Sequence, residues 1–292
     1  MGNRRMGAGR LGVLINHMEA SGSKGGRYGA GSDRWHLEEM FEQRPGLNED
    51  LSGSANGNFF LVTNKNFEVL GTNMTTALVT FASASAGITM RTAGSDNDQA
   101  ILLPHQDTNQ TQWATAGKWG TENEVHAEFL IVTHETDNAS LRIGLAETAA
   151  AGANGIDYAV DDDKVIFQYA SDDDQGALTT NANLHAIVSS GGTDYISDLG
   201  IALQSRQVYR LGIRIDSDRK AAVFVNGDQY SLTSATTAGG VKTGKGTDKS
   251  VALADDTNLI PTVAVMQHAD EDKGVTVARI HCSRNPGPAD HD

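Results

Sequence analysis

The chain has 292 residues, a formal net charge of −14, 39% hydrophobic, 21% charged and only 6% aromatic residues, and 32 glycines. That balance excludes a disordered chain and suits many short strands joined by turns better than a helical bundle. A lone cysteine, Cys282, excludes an internal disulfide framework and a cysteine-rich zinc site, and the acidic excess argues against direct nucleic-acid binding.

No apolar run approaches the roughly 20 residues of a membrane span, and no apolar stretch follows the N-terminal arginines. A soluble chain with no secretory signal, no membrane partner and no cofactor is expected. The first 34 residues carry six basic side chains (Arg4, Arg5, Arg10, Lys24, Arg27, Arg34) against Glu19 and Asp33, which makes this part +4 and the remainder −18. The segment is rich in glycine and serine and has no hydrophobic period. It is either a passive tail or a basic arm that folds onto an acidic partner surface. A short helix is predicted next: Asp33 can cap it, Trp35, Leu37, Met40 and Phe41 form a partial apolar stripe, and Pro45-Gly46 stops it. The docking set on this reading is Arg4, Arg5 and Arg10 for steering, with Leu11, Leu14, Trp35, Leu37 and Phe41 for grip.

From there the pattern is one of strands, expected at 59–63, 67–70, 77–81, 87–91, 101–103, 125–133, 140–145, 164–169, 184–188, 209–216, 220–225, 229–232, 260–266 and 275–281. Turn clusters separate nearly all of them, so an antiparallel sandwich or barrel is expected, not βαβ units. The organisation reads as an arm over 1–46, a body over 100–292, and a stretch over 47–99 that either supplies the body's first strands or forms a small subdomain. Tyr209, Leu211, Ile213 and Ile215 alternate with Arg210, Gly212, Arg214 and Asp216, which gives a strand with one buried face. Ala221, Val223 and Val225 follow, and Asn226-Gly227 closes a type I′ hairpin. A Gly/Thr/Lys-rich connection over 233–256 reads as a long loop, unusual at this length if structureless, and either functional or a mobile surface loop.

The stretch 209–230, YRLGIRIDSDRKAAVFVNGDQY, resembles the central hairpin of concanavalin A-like (LamG-like) jelly-roll domains, and VHAEFLIVT, LRIGL, KVIFQY and LIPTVAV fit the same order. The resemblance implies an all-β, antiparallel two-sheet jelly roll. The opening MGNRRMGAGRLGVL and the closing RIHCSRNPG resemble virion structural proteins of tailed phages. That second resemblance implies a non-enzymatic capsid decoration or cement protein on the virion surface. Its partners would be the major capsid protein, or another virion protein, and neighbouring copies of itself. The alternative is a glycan-binding head or tail-fibre module.

Glycan hydrolases of the concanavalin-like class carry an E-x-D-x-x-E motif that sets two carboxylates on one sheet face. It is absent here: Glu122, Glu124 and Glu128 share a parity, but their spacing is wrong. No G-x-S-x-G elbow, phosphate-binding loop or H-E-x-x-H motif occurs, and the nine histidines are scattered. The acidic runs 161–163 and 172–174 flank one strand. Asp161, Asp162, Asp163 and Asp172 are weak calcium candidates, the other readings being a solvated acidic loop or a landing patch for basic arms. Trp113 and Trp119, in QTQWATAGKWGTEN, either form an exposed sugar-stacking platform or cap the core.

Overall fold

The computed structural model describes residues 34–41, 46–49, 58–63, 67–81, 87–104, 119–147, 163–171, 178, 183–237, 240–269, 271 and 273–285. In chain order the strands begin with β1 (Trp35–Met40), β2 (Gly46–Glu49), β3 (Asn58–Thr63), β4 (Phe67–Gly71), β5 (Val79–Phe81), β6 (Ile88–Arg91) and β7 (Gln99–Pro104). Then come β8 (Trp119–Gly120), β9 (His126–Thr133), β10 (Ala139–Ala146), β11 (Lys164–Ala170), β12 (Asn183–Ser190) and β13 (Thr193–Ala202). The last are β14 (Val208–Ile215), β15 (Ala221–Val225), β16 (Asp228–Tyr230), β17 (Val241–Lys242), β18 (Asn258–Gln267) and β19 (Gly274–Arg284). One 3-10 turn, Thr76–Leu78, is the only helical element among the described residues.

The smaller sheet runs β16-β15-β14-β9-β19-β6-β5, with β1 added to the outer edge of β19. The larger runs β17-β13-β12-β11-β10-β18-β7-β4-β3-β2, with β8 beside β18. All pairings are antiparallel except the short β13–β17 contact. This is a jelly-roll sandwich, and residues 46–91 contribute strands to both of its sheets.

The core lies between the sheets. Leu211, Ile213, Ile215, Val223 and Val225 are all at most 3% exposed, as their alternation predicts. They face Leu141, Ile143, Val165, Phe167, Val263 and Val265 across the sandwich. Asn226 and Gly227, at φ 53° and 94°, make the left-handed turn that the Asn-Gly pair predicts. Gly144 on β10 is crowded both by the neighbouring strand β11 and by β14 of the facing sheet. A methyl group added to Gly144, whose φ is 153°, would meet the Val165 carbonyl, the Ile166 Cα at 2.7 Å and the Ile213 Cδ1 at 3.1 Å.

The larger sheet is covered on both faces. In β7, β10 and β11 every residue is buried, which explains their near-continuous apolar runs. Leu178, from the connection between β11 and β12, lies on the outer face against Ile166, Ala170, Ile187 and Ile196.

Two expectations need correction. The helix over 33–41 is strand β1, in register with β19 from Trp35↔Arg284 to Met40↔Arg279. Leu37 and Phe41 are four residues apart, a spacing that keeps side chains on one face of a strand as well as of a helix, and edge pairing decides between the two. The 233–256 connection is not structureless. It is a strap from β16 to the far edge of the other sheet, held by backbone bonds from Ser231 N to Gly244 O, Thr243 N to Asp198 O and Ser250 N to Ala221 O.

Two substitutions test this packing. Ile213→Asp places an unpaired charge in the core and should cost about 3 kcal/mol or more. Gly144→Ala must push β10 away from β11 and should cost on the order of 1–3 kcal/mol. Urea or guanidinium unfolding measures both, and near-wild-type midpoints would contradict the sheet contact.

Candidate functional site

On the outer face of the larger sheet, Arg142, Gln168, His185 and Asp198 are successive Cα partners across β10, β11, β12 and β13. At about 4.8 Å per strand the row is roughly 15 Å long. Each of these side chains is 4% exposed or less. Asp198 accepts hydrogen bonds from Asn183 Nδ2 at 2.9 and 3.1 Å and from the Gly200 amide at 2.8 Å. His185 Nδ1 donates to the Asn183 carbonyl at 3.0 Å, so Nε2 carries the lone pair, and it has no hydrogen-bond partner among the described residues. Burial holds the His185 pKa below its ordinary value against the opposing pull of Asp198. The ring is therefore a neutral acceptor at physiological pH.

Two rows away, Ser189 donates to Asp194, whose carboxylate lies 3.4 Å from the fully buried Lys164 Nζ. Asp194 and Asp198, four residues apart on β13, are separated by about 13 Å along the strand, beyond the roughly 5–9.5 Å of a glycosidase pair. Both are already engaged in internal bonds. Ser140 Oγ lies 2.7 Å from His268 Nε2, the spacing of a nucleophile and its base, but Ser140 is completely buried.

The outer face of the smaller sheet carries a second polar cluster. Arg279 bridges Glu128 at 3.2 Å and Glu38 at 3.0 Å, and the His36 and His281 rings stack at 5.8 Å. Burial, seconded by nearby arginines, pushes His126 and His281 down to about 3. Burial also raises the Glu128 pKa, although Arg279 pulls it down. The glutamates that the sequence groups together are separated: only Glu128 is on a strand, while Glu122 and Glu124 precede β9 and Glu124 has φ 47°.

The docking residues divide. Arg4, Arg5, Arg10, Leu11 and Leu14 lie outside the described residues. Phe41 is fully buried in the core and Leu37 packs against it, so these two anchor the chain to its own body and not to a partner. The Trp35 backbone pairs with Arg284. Beside it, Arg34 donates from Nη1 to Asn285 Oδ1 and from Nη2 to the Glu124 carbonyl, both at 2.7 Å. The two ends of the described chain, Arg34 and Asn285, thus meet at one corner of the body.

Trp119 is 2% exposed in the core beneath the Arg284 guanidinium, 5.9 Å from the ring centre, so it caps the core and offers no sugar platform. Trp113 lies outside the described residues, as do Asp161, Asp162 and Asp172. Asp163 is used internally: it accepts from the Gly191 amide at 2.7 Å and from Thr257 Oγ1 at 3.4 Å. No group of three or more His, Cys, Asp or Glu among the described residues is set to hold a metal ion.

No family model matches the chain, and no curated protein matches it. Solved structures match at low identity. A protein of unknown function, SO2946 from Shewanella oneidensis MR-1, is 11% identical with a TM-score of 0.45, covering 86% of each chain. The Emp47p carbohydrate recognition domain is 10% identical with a TM-score of 0.49, over 88% of this chain and 97% of that one. SCLam, a non-specific endo-beta-1,3(4)-glucanase from family GH16, is 8% identical with a TM-score of 0.48, over 88% and 93%. At these identities the similarity concerns the fold alone.

The buried histidines set a pH dependence. His126 and His281 titrate near 3 when folded against 6.5 for the unfolded side chain, so between these values the unfolded state binds more protons. Their contribution to stability is therefore complete above about 6.5 and is lost as the pH falls toward 3. Denaturation midpoints of the His126→Gln/His281→Gln variant should fall less steeply over this window than those of the wild type. Equal slopes would show that the two rings are protonated when folded.

Proposed function

We propose that the chain is a non-enzymatic structural module, a rigid jelly-roll body fastened to a larger assembly by its N-terminal arm. In the setting of the virion proteins that its terminal segments resemble, it is a decoration or cement protein on the capsid surface, with the major capsid protein as its partner. The observation that carries this reading is the joint between arm and body. β1 is paired along its whole length to β19, Phe41 is locked in the core, and Arg34 is clamped by two 2.7 Å hydrogen bonds. A pull on the arm is met by the β1–β19 ladder in shear.

The arm before this joint holds Arg4, Arg5, Arg10, Lys24 and Arg27 against Glu19 and Asp33, a net +3 on a strongly acidic chain. Exposed ion pairs are worth about 0–1 kcal/mol each, enough to steer but not to hold. With Leu37 and Phe41 committed to the body, the grip falls to Leu11, Val13, Leu14 and Ile15, whose full burial is worth about 1.5–3 kcal/mol each before ordering costs. A chain lacking residues 1–33 should fold with an unchanged melting temperature and fail to co-sediment with purified capsids. Arg4→Glu/Arg5→Glu/Arg10→Glu should weaken binding chiefly at low salt. A truncated body that still occupies capsids at wild-type stoichiometry would sink this reading.

A glycan-binding module is the second reading, and the row of Arg142, Gln168, His185 and Asp198 favours it, since His185 Nε2 is an acceptor with no described partner. Against it, the row is buried and Leu178 covers its face. On this reading, calorimetric titration with neutral and acidic oligosaccharides gives heat that His185→Ala reduces by about tenfold in affinity. No heat with any of them leaves the structural reading alone.

A further inference from the structure

At one end of the smaller sheet, residues from four neighbouring segments form a polar row. Arg91 on β6 is the Cα partner of Gly274 on β19. His134 follows Thr133, the partner of Val275, and so lies on the other side of Gly274. Arg206, just before β14, continues the row: its amide donates to the carbonyls of Thr133 and His134, both at 3.0 Å. Gly274 leaves the row without a side chain at its centre. A Cβ there would lie 3.3 Å from Arg91 Cγ and 3.6 Å from His134 Cγ, so these two side chains flank one gap. Arg91 and Arg206 are exposed and His134 is half-buried, so the row is accessible although the β9–β19 seam further along the sheet is buried.

Two threonines fix the His134 ring. Its Nε2 lies 2.8 Å from Thr276 Oγ1, which in turn is 2.7 Å from Thr89 Oγ1. Both threonines are at most 4% exposed, and neither hydroxyl has a further partner among the described residues. Were Nε2 the donor, the hydrogen bonds would end on the Thr89 hydroxyl, a buried donor with nothing to receive it, which is costly. The direction that avoids this runs from Thr89 to Thr276 to Nε2 and places the ring proton on Nδ1. Nδ1–H is then a donor with no partner among the described residues, on a ring that a ligand can reach.

The charges around the ring are unbalanced. The Lys273 ammonium, 1% exposed, draws Glu271 to 2.8 Å and Glu135 to 3.9 Å. Neither Arg91 nor Arg206 has an ion-pair partner among the described residues. Burial first, and then Arg91 and Arg206, hold the His134 pKa below its ordinary value against the opposing pull of Glu135. The ring is therefore neutral near pH 7, with a cation to either side.

We propose that this row binds a sulfate or phosphate group, held over Gly274 between the Arg91 and Arg206 guanidiniums with His134 Nδ1–H as a third donor. The Cα atoms of the two arginines are three strand spacings apart, about 14 Å at about 4.8 Å each, a span that two long side chains close from opposite ends. Guanidinium forks meet the oxygens of a tetrahedral oxoanion in pairs. No arm residue takes part, so the site stands whether or not the chain docks on a capsid.

Sulfate is the probe, because its charge does not change while a histidine titrates, and NMR of the imidazole resonances reads the site directly. A bound dianion reverses the effect of the two arginines. The His134 midpoint should therefore rise by about one pH unit in sodium sulfate over sodium chloride of equal ionic strength. In Arg91→Gln/Arg206→Gln the midpoint should already be higher in chloride, and the further rise in sulfate should vanish. The melting temperature should not change, since both side chains are exposed. A sulfated oligosaccharide that gives the same rise at lower concentration than inorganic sulfate supports a group carried on a polymer, and one that is no more potent supports the free ion. A His134 midpoint indifferent to about 100 mM sulfate, a hundredfold above the roughly millimolar dissociation constant of a weak site, would overturn the proposal. So would a rise shared equally by His36 and the other histidines, or one that survives in the double variant.

Discussion

The close packing around Gly144 on β10 is a constraint on which the sandwich depends. The β11 backbone at Val165 and Ile166 leaves no room for a side chain at 144, and Ile213 of the facing sheet lies just beyond. Close approach there lets the alternating faces of β9, β14 and β19 interlock with those of β10, β11 and β18 in one continuous core. Because the larger sheet is buried on its other face too, polar side chains on its strands must find partners within the protein. The Asn183–Asp198 and Lys164–Asp194 pairs are the outcome of that requirement.

Much of this architecture was legible in the chain. Alternation in 209–216 and the Asn-Gly pair at 226–227 specify the hairpin, because a period of two with one buried face admits a single register. β13 escaped notice for a physical reason: its residues Thr193–Ala202 mix Asp194, Ser197, Asp198 and Gly200 with the apolar ones, and a polar strand whose outer face is covered has no clean alternation. β1 was misread because Leu37 and Phe41 satisfy both periods. The polar row had a weaker signature, one polar residue at the centre of each of three apolar strands: Arg142 in LRIGL, Gln168 in KVIFQY and His185 in NLHAIV. What sequence could not supply was the register that lines these three up with Asp198. Sequence alone fits Trp119 to a platform or a core cap equally well, and the β8–β18 pairing decides for the core.

The two outer faces differ in a way that bears on function. One is closed by Leu178 and holds its polar groups in internal bonds, which suits rigidity more than turnover. The other is mixed in polarity: His126, Glu128, Arg279 and His281 are buried near its centre, while Met40 and Val208 stand exposed to either side. The described chain enters the body at the edge of this same sheet, through β1.

The corner where Arg34 reaches Asn285 also makes the body nearly a closed ring of chain. Residues 34 and 285 are close enough for a short linker to join them, and the exposed turn at Asn226-Gly227 could be opened in exchange while the β15–β16 ladder stays paired. A permuted body of that kind would carry its new ends at the opposite pole of the sandwich. Which end of the body carries the termini is thus a property of where the chain is cut and not of the fold.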